Sequence, residues 1–247
     1  MITLLIATRN AHKVEEIRAI LGGRFEYRTL NDLPNAPKVV EDAATFGGNA
    51  AKKAVELAQW IGEGRSPQSM VHSPQSGTRR GLSGEGRGQV FVLADDSGLE
   101  VDALGGAPGV YSARFASLES GGSENSSSAR NNAKLLRLLE DVPAGKRTAR
   151  FRCVLAVSPA VQEGRESASP VCQATEAELL AELFEGSCEG RIALAPRGQG
   201  GFGYDPLFVP EGYDQTFGEL SQEVKNRLSH RAQALEKLRQ WFERASV

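Results

Sequence analysis

The first twenty-two residues place the tightest constraint on the fold. Ile2 to Ala7 is an unbroken apolar run, the pattern of a strand buried on both faces rather than one with a wet side. It breaks at Thr8-Arg9-Asn10, and Val14, Ile17, Ile20 and Leu21 then recur at helical spacing. Asn10 suits an N-cap and Gly22 a C-terminal stop. A strand that needs cover on both faces, feeding a helix through a short polar turn, predicts an α/β protein. At 247 residues the chain can bury a sizeable core, as one large domain or as two lobes.

The remaining pattern supplies more strands and helices. A second strand is expected over Arg24–Leu33, stopped by Pro34 and Pro37. A helix over Asn49–Ile61 carries Ala50, Ala54, Leu57, Ala58 and Ile61 as its apolar stripe. Glu41 and Asp42 lie just ahead of it, where acidic side chains commonly serve as caps. Residues 62–89 switch to Gly, Ser, Arg, Gln and Pro. Such a segment cannot bury enough surface to offset its ordering entropy, and is expected to be a mobile surface insertion. Asn131–Leu139 predicts a short helix. Arg150–Val157 alternates, putting Phe151, Cys153, Leu155 and Val157 on one face and Cys153 in the core. Between Ser169 and Ile192 a strand from Val171 and a helix over Ala174–Phe184 both fit. Leu207–Val209 reads as a strand and Thr216–Asn226 as a polar helical stretch. Ser229 would cap a last helix with Ala232, Leu235, Leu238, Trp241 and Phe242 as its buried stripe.

Several function classes drop out. A net charge of −2 lacks the basic footprint of a nucleic-acid binder. Cys153, Cys172 and Cys188 are far apart with no C-x-x-C spacing. They form neither a zinc set nor a disulfide framework, and fit a reducing cytoplasm. No apolar run approaches membrane length, and the first is too short for a signal-peptide core.

Chemistry concentrates in three places. Val90–Leu93 is rich in β-formers and runs into Asp95-Asp96-Ser97-Gly98, expected to close the strand in a turn at the glycine. Side chains alternate along a strand, so at most one of the two carboxylates faces a given cleft. Taken alone, the tetrad reads as an Asx-turn that closes the strand, and it is the rest of the chain that favours a functional site. Second, two helices begin with cations: Lys13 in the first, His230 and Arg231 in the last. Helix N-termini disfavour positive charge, so a bound anion is expected nearby. Third, Gly198-Gln199-Gly200-Gly201-Phe202-Gly203-Tyr204-Asp205-Pro206 presents two aromatics on a glycine-rich backbone, suited to stacking on a planar ligand. With Lys225, these parts suit a nucleoside triphosphate: cations for phosphates, carboxylates for a divalent metal, and aromatics for a base. There is no Walker A pattern and no Rossmann glycine fingerprint.

Five motifs, in this order, carry a family resemblance: Thr8-x-Asn10-x-x-Lys13-x-x-Glu16, Ala94-Asp95-Asp96-Ser97-Gly98-Leu99, Leu104-Gly105-Gly106-x-Pro108-Gly109-x-Tyr111-Ser112, Gly201-Phe202-Gly203-Tyr204-Asp205-Pro206 and Ser229-His230-Arg231. Together they resemble the inosine triphosphate pyrophosphatase family over nearly the whole chain. The resemblance implies one two-lobed α/β domain over residues 1–247, with a mixed central sheet and an interlobe active-site cleft. It implies Mg²⁺-dependent hydrolysis of dITP, ITP and XTP to monophosphate and pyrophosphate by a cytoplasmic homodimer, with no nucleic-acid or membrane partner. By the same carry-over Asp96 is general base and metal ligand, Glu41 the second metal carboxylate, and Ser97 a substrate contact. Thr8, Arg9, Asn10, Ala11, His12, Lys13 and Lys225 would hold the triphosphate. Phe202 would stack on the base, while Gly203, Tyr204, Asp205, His230 and Arg231 line the pocket. Asp95 is left a supporting role. Departures are Arg9 where glycine is common, Gly48 where the family usually has Glu, and the 62–89 insertion. A pyrophosphatase of other base preference, a nucleotide-binding regulator without turnover and a purely structural protein are the competing readings.

Overall fold

The computed structural model describes residues 1–64, 89–122, 124–160 and 180–245. Most of the expected insertion (65–88) and residues 169–179 of the ambiguous stretch lie outside them. The described chain runs β1 (Ile2–Ile6), α1 (Ala11–Leu21), β2 (Phe25–Thr29), α2 (Phe46–Gly62), β3 (Val90–Val101), α3 (Ser128–Leu138) and β4 (Thr148–Pro159). It continues through β5 (Glu182–Ile192), β6 (Phe208–Pro210), α4 (Gln222–Leu228) and α5 (His230–Ala245). The strands form a mixed sheet in the order β2-β1-β3-β4-β5-β6. β2, β1 and β3 are parallel, and β3 through β6 are antiparallel to their neighbours.

The unbroken apolar run of β1 is explained by cover on both faces. Leu5, Val92, Ala94, Val154 and Ala156 pack under α2 with Ala54, Leu57 and Ile61. Leu4, Ile6, Leu93, Cys153, Leu155 and Val157 pack on the other face with Ile17, Leu235, Leu238 and Phe242 of α1 and α5. Farther along that second face, Leu99, Val101, Phe151, Tyr204, Phe208 and Phe217 make a separate apolar cluster. Asp95 and Ser97 fall between the two clusters, which leaves a polar belt across the middle of the sheet.

Several elements depart from their expected bounds. β2 stops at Thr29 rather than Leu33, because Thr29 and Asp32 cap each other and turn Leu30–Asp32 into a 3₁₀ helix. The polar stretch from Thr216 becomes helical only at Gln222, after the Ser221 cap. The ambiguous stretch ends in strand β5, so Leu183 and Phe184 are not helical. The tetrad does not close β3 in a turn. Asp95, Asp96 and Gly98 lie mid-strand, opposite Leu155, Val154 and Arg152 of β4. Gly98 is needed for close approach instead: a Cβ there would lie 2.4 Å from the Gly109 carbonyl oxygen and 2.6 Å from Ser112 Oγ.

A second close approach sets the position of α5. A Cβ on Gly186 of β5 would stand 2.0 Å from the His230 carbonyl oxygen and 2.9 Å from the Ala234 nitrogen. Backbone cannot yield as a flexible side chain does, so the first turn of α5 sits where it does because residue 186 is glycine. Gly186→Ala should therefore lose about 1–3 kcal/mol of stability through overpacking, read as a lower midpoint in urea or thermal unfolding. An unchanged midpoint would show that α5 is free to lift off the sheet.

Candidate active site

The turn after β1 is organised by its own side chains. Asn10 caps α1, its Oδ1 accepting from the His12 nitrogen at 3.0 Å and the Lys13 nitrogen at 3.3 Å. Thr8 Oγ1 accepts from the Asn10 nitrogen at 3.1 Å. Arg9, Asn10, Ala11 and His12 are left exposed at the helix start. Lys13 instead turns inward and pairs with Asp95.

Asp95 belongs to a buried ionic cluster centred on Arg231, which is 1% exposed. Arg231 Nε donates to Asp95 Oδ2 at 2.8 Å, Nη1 pairs with Glu16, and Nη2 donates to Ser97 Oγ at 3.3 Å. Lys225 Nζ lies 2.8 Å from Glu16 Oε1 and 2.7 Å from Asp205 Oδ2. Burial opposes ionisation of Asp95, but the charges of Arg231 and Lys13 outweigh it and hold the carboxyl well below its usual range. Burial likewise opposes a charged Glu16, yet Arg231 and Lys225 bring it below the ordinary value. The cations at the starts of α1 and α5 thus pair with the protein's own carboxylates. Neighbouring His230 is buried, and burial followed by the Arg231 and Lys225 charges pushes its pKa well down, leaving it neutral. Its ring stacks on Phe151 at 4.7 Å and 13°, and its Nδ1 has no partner among the described residues.

The glycine-rich loop folds over this cluster. Phe202 lies with its ring centroid 4.6 Å from Lys225 Nζ and 5.7 Å from Arg231 Cζ. Its ring is stacked on His12, with centroids 5.4 Å apart and planes 9° from parallel. Asp205 Oδ2 accepts from the Phe202 nitrogen at 2.7 Å. Gly201, at φ +71°, allows this, since a Cβ would fall 2.0 Å from the same oxygen. Burial raises the Asp205 pKa, with Lys225 opposing. Asn132 Nδ2 holds the Gly203 carbonyl at 3.1 Å. Two expectations change here. Tyr204 is 4% exposed and its hydroxyl donates to the Ser112 carbonyl at 2.9 Å, so it props the loop from the core rather than offering a free pocket hydroxyl. Lys225, expected among the phosphate-holding residues, is placed instead beside Phe202.

Asp96 faces the other side of β3, toward α2. Asn49 Nδ2 donates to its Oδ2 at 3.0 Å. Burial dominates its titration and lifts it to about 6, against the lowering charges of Lys13 and Lys53. Lys53 Nζ lies 2.8 Å from Glu41 Oε1, and the Glu41 charge lifts Asp96 further. Glu41 and Asp42 do not cap α2; Thr45 does, accepting from the Gly48 nitrogen at 3.0 Å, while Asp42 pairs with Lys52 at 2.8 Å. No motif in the sequence marks Lys53, whose position beside both carboxylates follows from α2 lying along β3. Asn49 and Glu16 stand within recognisable motifs, but their partners are visible only in the fold.

Among the described residues no group of three or more His, Cys, Asp or Glu side chains converges on a metal position. Magnesium, however, commonly takes one or two protein carboxylates and completes its shell with phosphate and water oxygens. Asp96 and Glu41 fit that requirement. Among the described residues the buried Asp96 carboxylate has no direct cationic partner of its own, and a divalent cation would neutralise it. Its elevated pKa records that uncompensated charge.

The structure thus defines an α/β protein whose mixed sheet buries a cluster of paired charges on one face and turns Asp96 toward α2 on the other. Known proteins match the chain over nearly its whole length. The model of the Ham1 family matches residues 4–241. A dITP/XTP pyrophosphatase of Desulforamulus reducens is 43% identical over 95% of this chain and 92% of its own length. One of Geobacillus kaustophilus is 43% identical over 97% and 94%. The solved HAM1 protein of Coxiella burnetii superposes with a TM-score of 0.70, at 29% identity over 99% of this chain and 100% of that one. The Ham1 protein of Staphylococcus aureus gives 0.69 at 30% identity, with 98% of each chain covered. The protein belongs to the Ham1 family.

The raised pKa of Asp96 carries a stability consequence. A carboxyl whose folded pKa exceeds its unfolded value stabilises below the unfolded value and loses that contribution as pH rises through about 6. Metal-free Asp96→Asn should therefore be more stable than wild type by about 1–3 kcal/mol near neutral pH. The difference should vanish below about pH 4. Denaturant unfolding of both proteins across that range tests this; a pH-independent difference would show that burial does not govern Asp96.

Proposed function

We propose that the protein hydrolyses the deaminated purine nucleoside triphosphates dITP, ITP and XTP to monophosphate and pyrophosphate, clearing them from the precursor pool. The observation that carries the reading is convergence. Lys13, Asp95, Phe202, Asp205, Lys225 and Arg231 come from separate stretches of the chain and meet in one cluster. The relatives named dITP/XTP pyrophosphatases align across nearly the full chain. In this reading residues 1–247 act as one two-lobed domain with the cleft between its lobes. Resemblance to the inosine triphosphate pyrophosphatases supports a cytoplasmic homodimer. Free thiols at Cys153 and Cys188 suit that compartment, and no helix among the described residues is long and apolar enough to cross a membrane.

Phosphoryl transfer needs positioning and charge neutralisation more than covalent help. The start of α1, from Thr8 to Lys13, offers the phosphates the Lys13 ammonium and the N–H groups of Arg9 and Ala11, the two there without a partner among the described residues. Asp96 and Glu41 would hold Mg²⁺, which when bound neutralises phosphate charge and helps orient the triphosphate. Ionised Asp96 takes a proton from the attacking water as its oxygen bonds to the α-phosphorus. The α–β bridging bond breaks, and pyrophosphate leaves with the electron pair. Asn49 orients Asp96 through its amide, and Lys53 balances Glu41. Ser97, with its hydroxyl beside Arg231, meets the substrate at the cleft floor.

Phe202 and the Arg231–Lys225–Asp205 group form the base side. Hypoxanthine and xanthine present a keto acceptor where adenine carries an amino donor. A site built from cationic donors leaves adenine with opposed donors, and such polar mismatch discriminates by orders of magnitude. Pyrophosphate release from ITP, XTP, GTP, ATP, dUTP and dTTP, with and without Mg²⁺, tests the reading. ITP and XTP should exceed ATP at least about tenfold in kcat/KM; faster dUTP or dTTP turnover would overturn the base assignment. Asp96→Asn should lower kcat about a thousandfold or more with folding intact. Because the proton competes for Asp96, the Mg²⁺ concentration giving half activity should rise as pH drops below about 6. A flat Mg²⁺ requirement across that range would remove Asp96 as a ligand.

A further inference from the structure

We propose that His12 forms the second wall of a slot for the purine base, facing Phe202 across the cleft. The proposal rests on the reading of that cleft as a nucleotide site. The two residues come from opposite ends of the chain: His12 opens the first turn of α1, and Phe202 lies on the glycine-rich loop. Yet their rings lie within 9° of parallel, with centroids 5.4 Å apart, inside the range of offset aromatic pairs. The imidazole therefore turns its face, not a nitrogen edge, toward the base side.

The surroundings leave His12 free for that task. Its backbone nitrogen is taken by Asn10 Oδ1 at 3.0 Å, which fixes the helix start independently of the imidazole. Among the described residues the ring has no hydrogen bond or ion pair competing with the stack. The side chain is exposed, and exposed rotamers exchange rapidly.

Phe202 is the opposite case. Asp205 holds its nitrogen, Asn132 holds the next carbonyl, and Lys225 stands 4.6 Å from its ring. One wall is anchored and the other swings.

A flat ring sandwiched between two others needs wall planes about 7 Å apart, twice an ordinary van der Waals contact. The walls already share an orientation, so opening the slot mainly requires a side-chain rotation at His12. A purine, with its larger face, gains more from both walls than a pyrimidine does. This assigns His12 to the base, whereas its place at the start of α1 taken alone would assign it to the phosphates.

Two probes separate these roles: IMP, which carries the base, and inorganic tripolyphosphate, which lacks it. Their binding to wild type, His12→Ala, His12→Phe and His12→Lys can be measured by titration calorimetry. Loss of one stacking wall should weaken IMP about tenfold in His12→Ala, with His12→Phe restoring it and His12→Lys not. Tripolyphosphate should bind wild type, His12→Ala and His12→Phe alike. Equal weakening of both probes in His12→Ala, or recovery of IMP with lysine and not phenylalanine, would make His12 a phosphate ligand and overturn the proposal. Unchanged IMP affinity in His12→Ala, or no IMP binding by wild type, would overturn it as well. Failure of the pyrophosphatase reading appears separately, as a wild-type protein that releases no pyrophosphate from ITP.

Discussion

One guanidinium ties the molecule together. Arg231 is 1% exposed, and a charge so deeply buried persists only when neighbouring charges compensate for its lost hydration. Asp95 and Glu16 supply that compensation, and each in turn depends on a second cation, Lys13 and Lys225. Five charged groups on α1, β3, α4 and α5 are therefore coupled through Arg231. Removing the guanidinium would leave Asp95 and Glu16 with one cation each, and breaking one partner from a buried pair costs about 3–5 kcal/mol. This cluster also explains why a sheet with two good apolar clusters on one face has a polar gap between them.

Asp95 and Asp96 share nearly the same backbone position and have opposite electrostatics. The strand alternation sends Asp95 into the Arg231 cluster and Asp96 toward α2. The first is held ionised; the second is lifted to about 6. Neighbouring titratable groups pushed apart in pKa are a mark of acid–base assignment. Asp95 is suited to fixing cations, because its charge is already committed. Asp96 is suited to exchanging a proton or accepting a metal, because its charge is not.

Local pattern revealed most elements, and distant pairing escaped it. The run Ile2–Ala7 and the Val14, Ile17, Leu21 stripe correctly foretold a buried strand and its covering helix, since both signals lie within one short window. The tetrad misled for the same reason: Asp, Ser and Gly are turn formers locally. Only the loop at Gly109 and Ser112, pressed on Gly98, reveals a glycine chosen for close approach. The misplaced cations were a sound signal that anions lie nearby, and the fold supplies carboxylates of the same chain. Lys13 meets Asp95 82 residues away, and Arg231 meets Glu16 215 residues away. Charge pattern along a sequence registers that a partner is needed, but not that it lies elsewhere in the same chain. Lys53 left no signal at all, because a lysine on a helix is ordinary until the fold lays that helix beside Glu41 and Asp96.

The internal ion pairs also decide which cations are available to a ligand. The side chains of Arg231 and Lys225 are 2% and 3% exposed, whereas that of Lys13 is 18% exposed. Lys13 therefore stands at the rim, with the exposed start of α1 behind it. An incoming phosphate can compete with Asp95 for Lys13 without uncovering the cluster, since Asp95 keeps Arg231 when Lys13 turns away. Arg231 and Lys225 cannot make that exchange: each is gripped by two carboxylates and walled in by Phe202. Their contribution is a fixed field, set before any ligand arrives and needing little reorganisation when charge enters the cleft. The depth at which each charge is buried thus separates one cation able to turn outward from two that are held fixed.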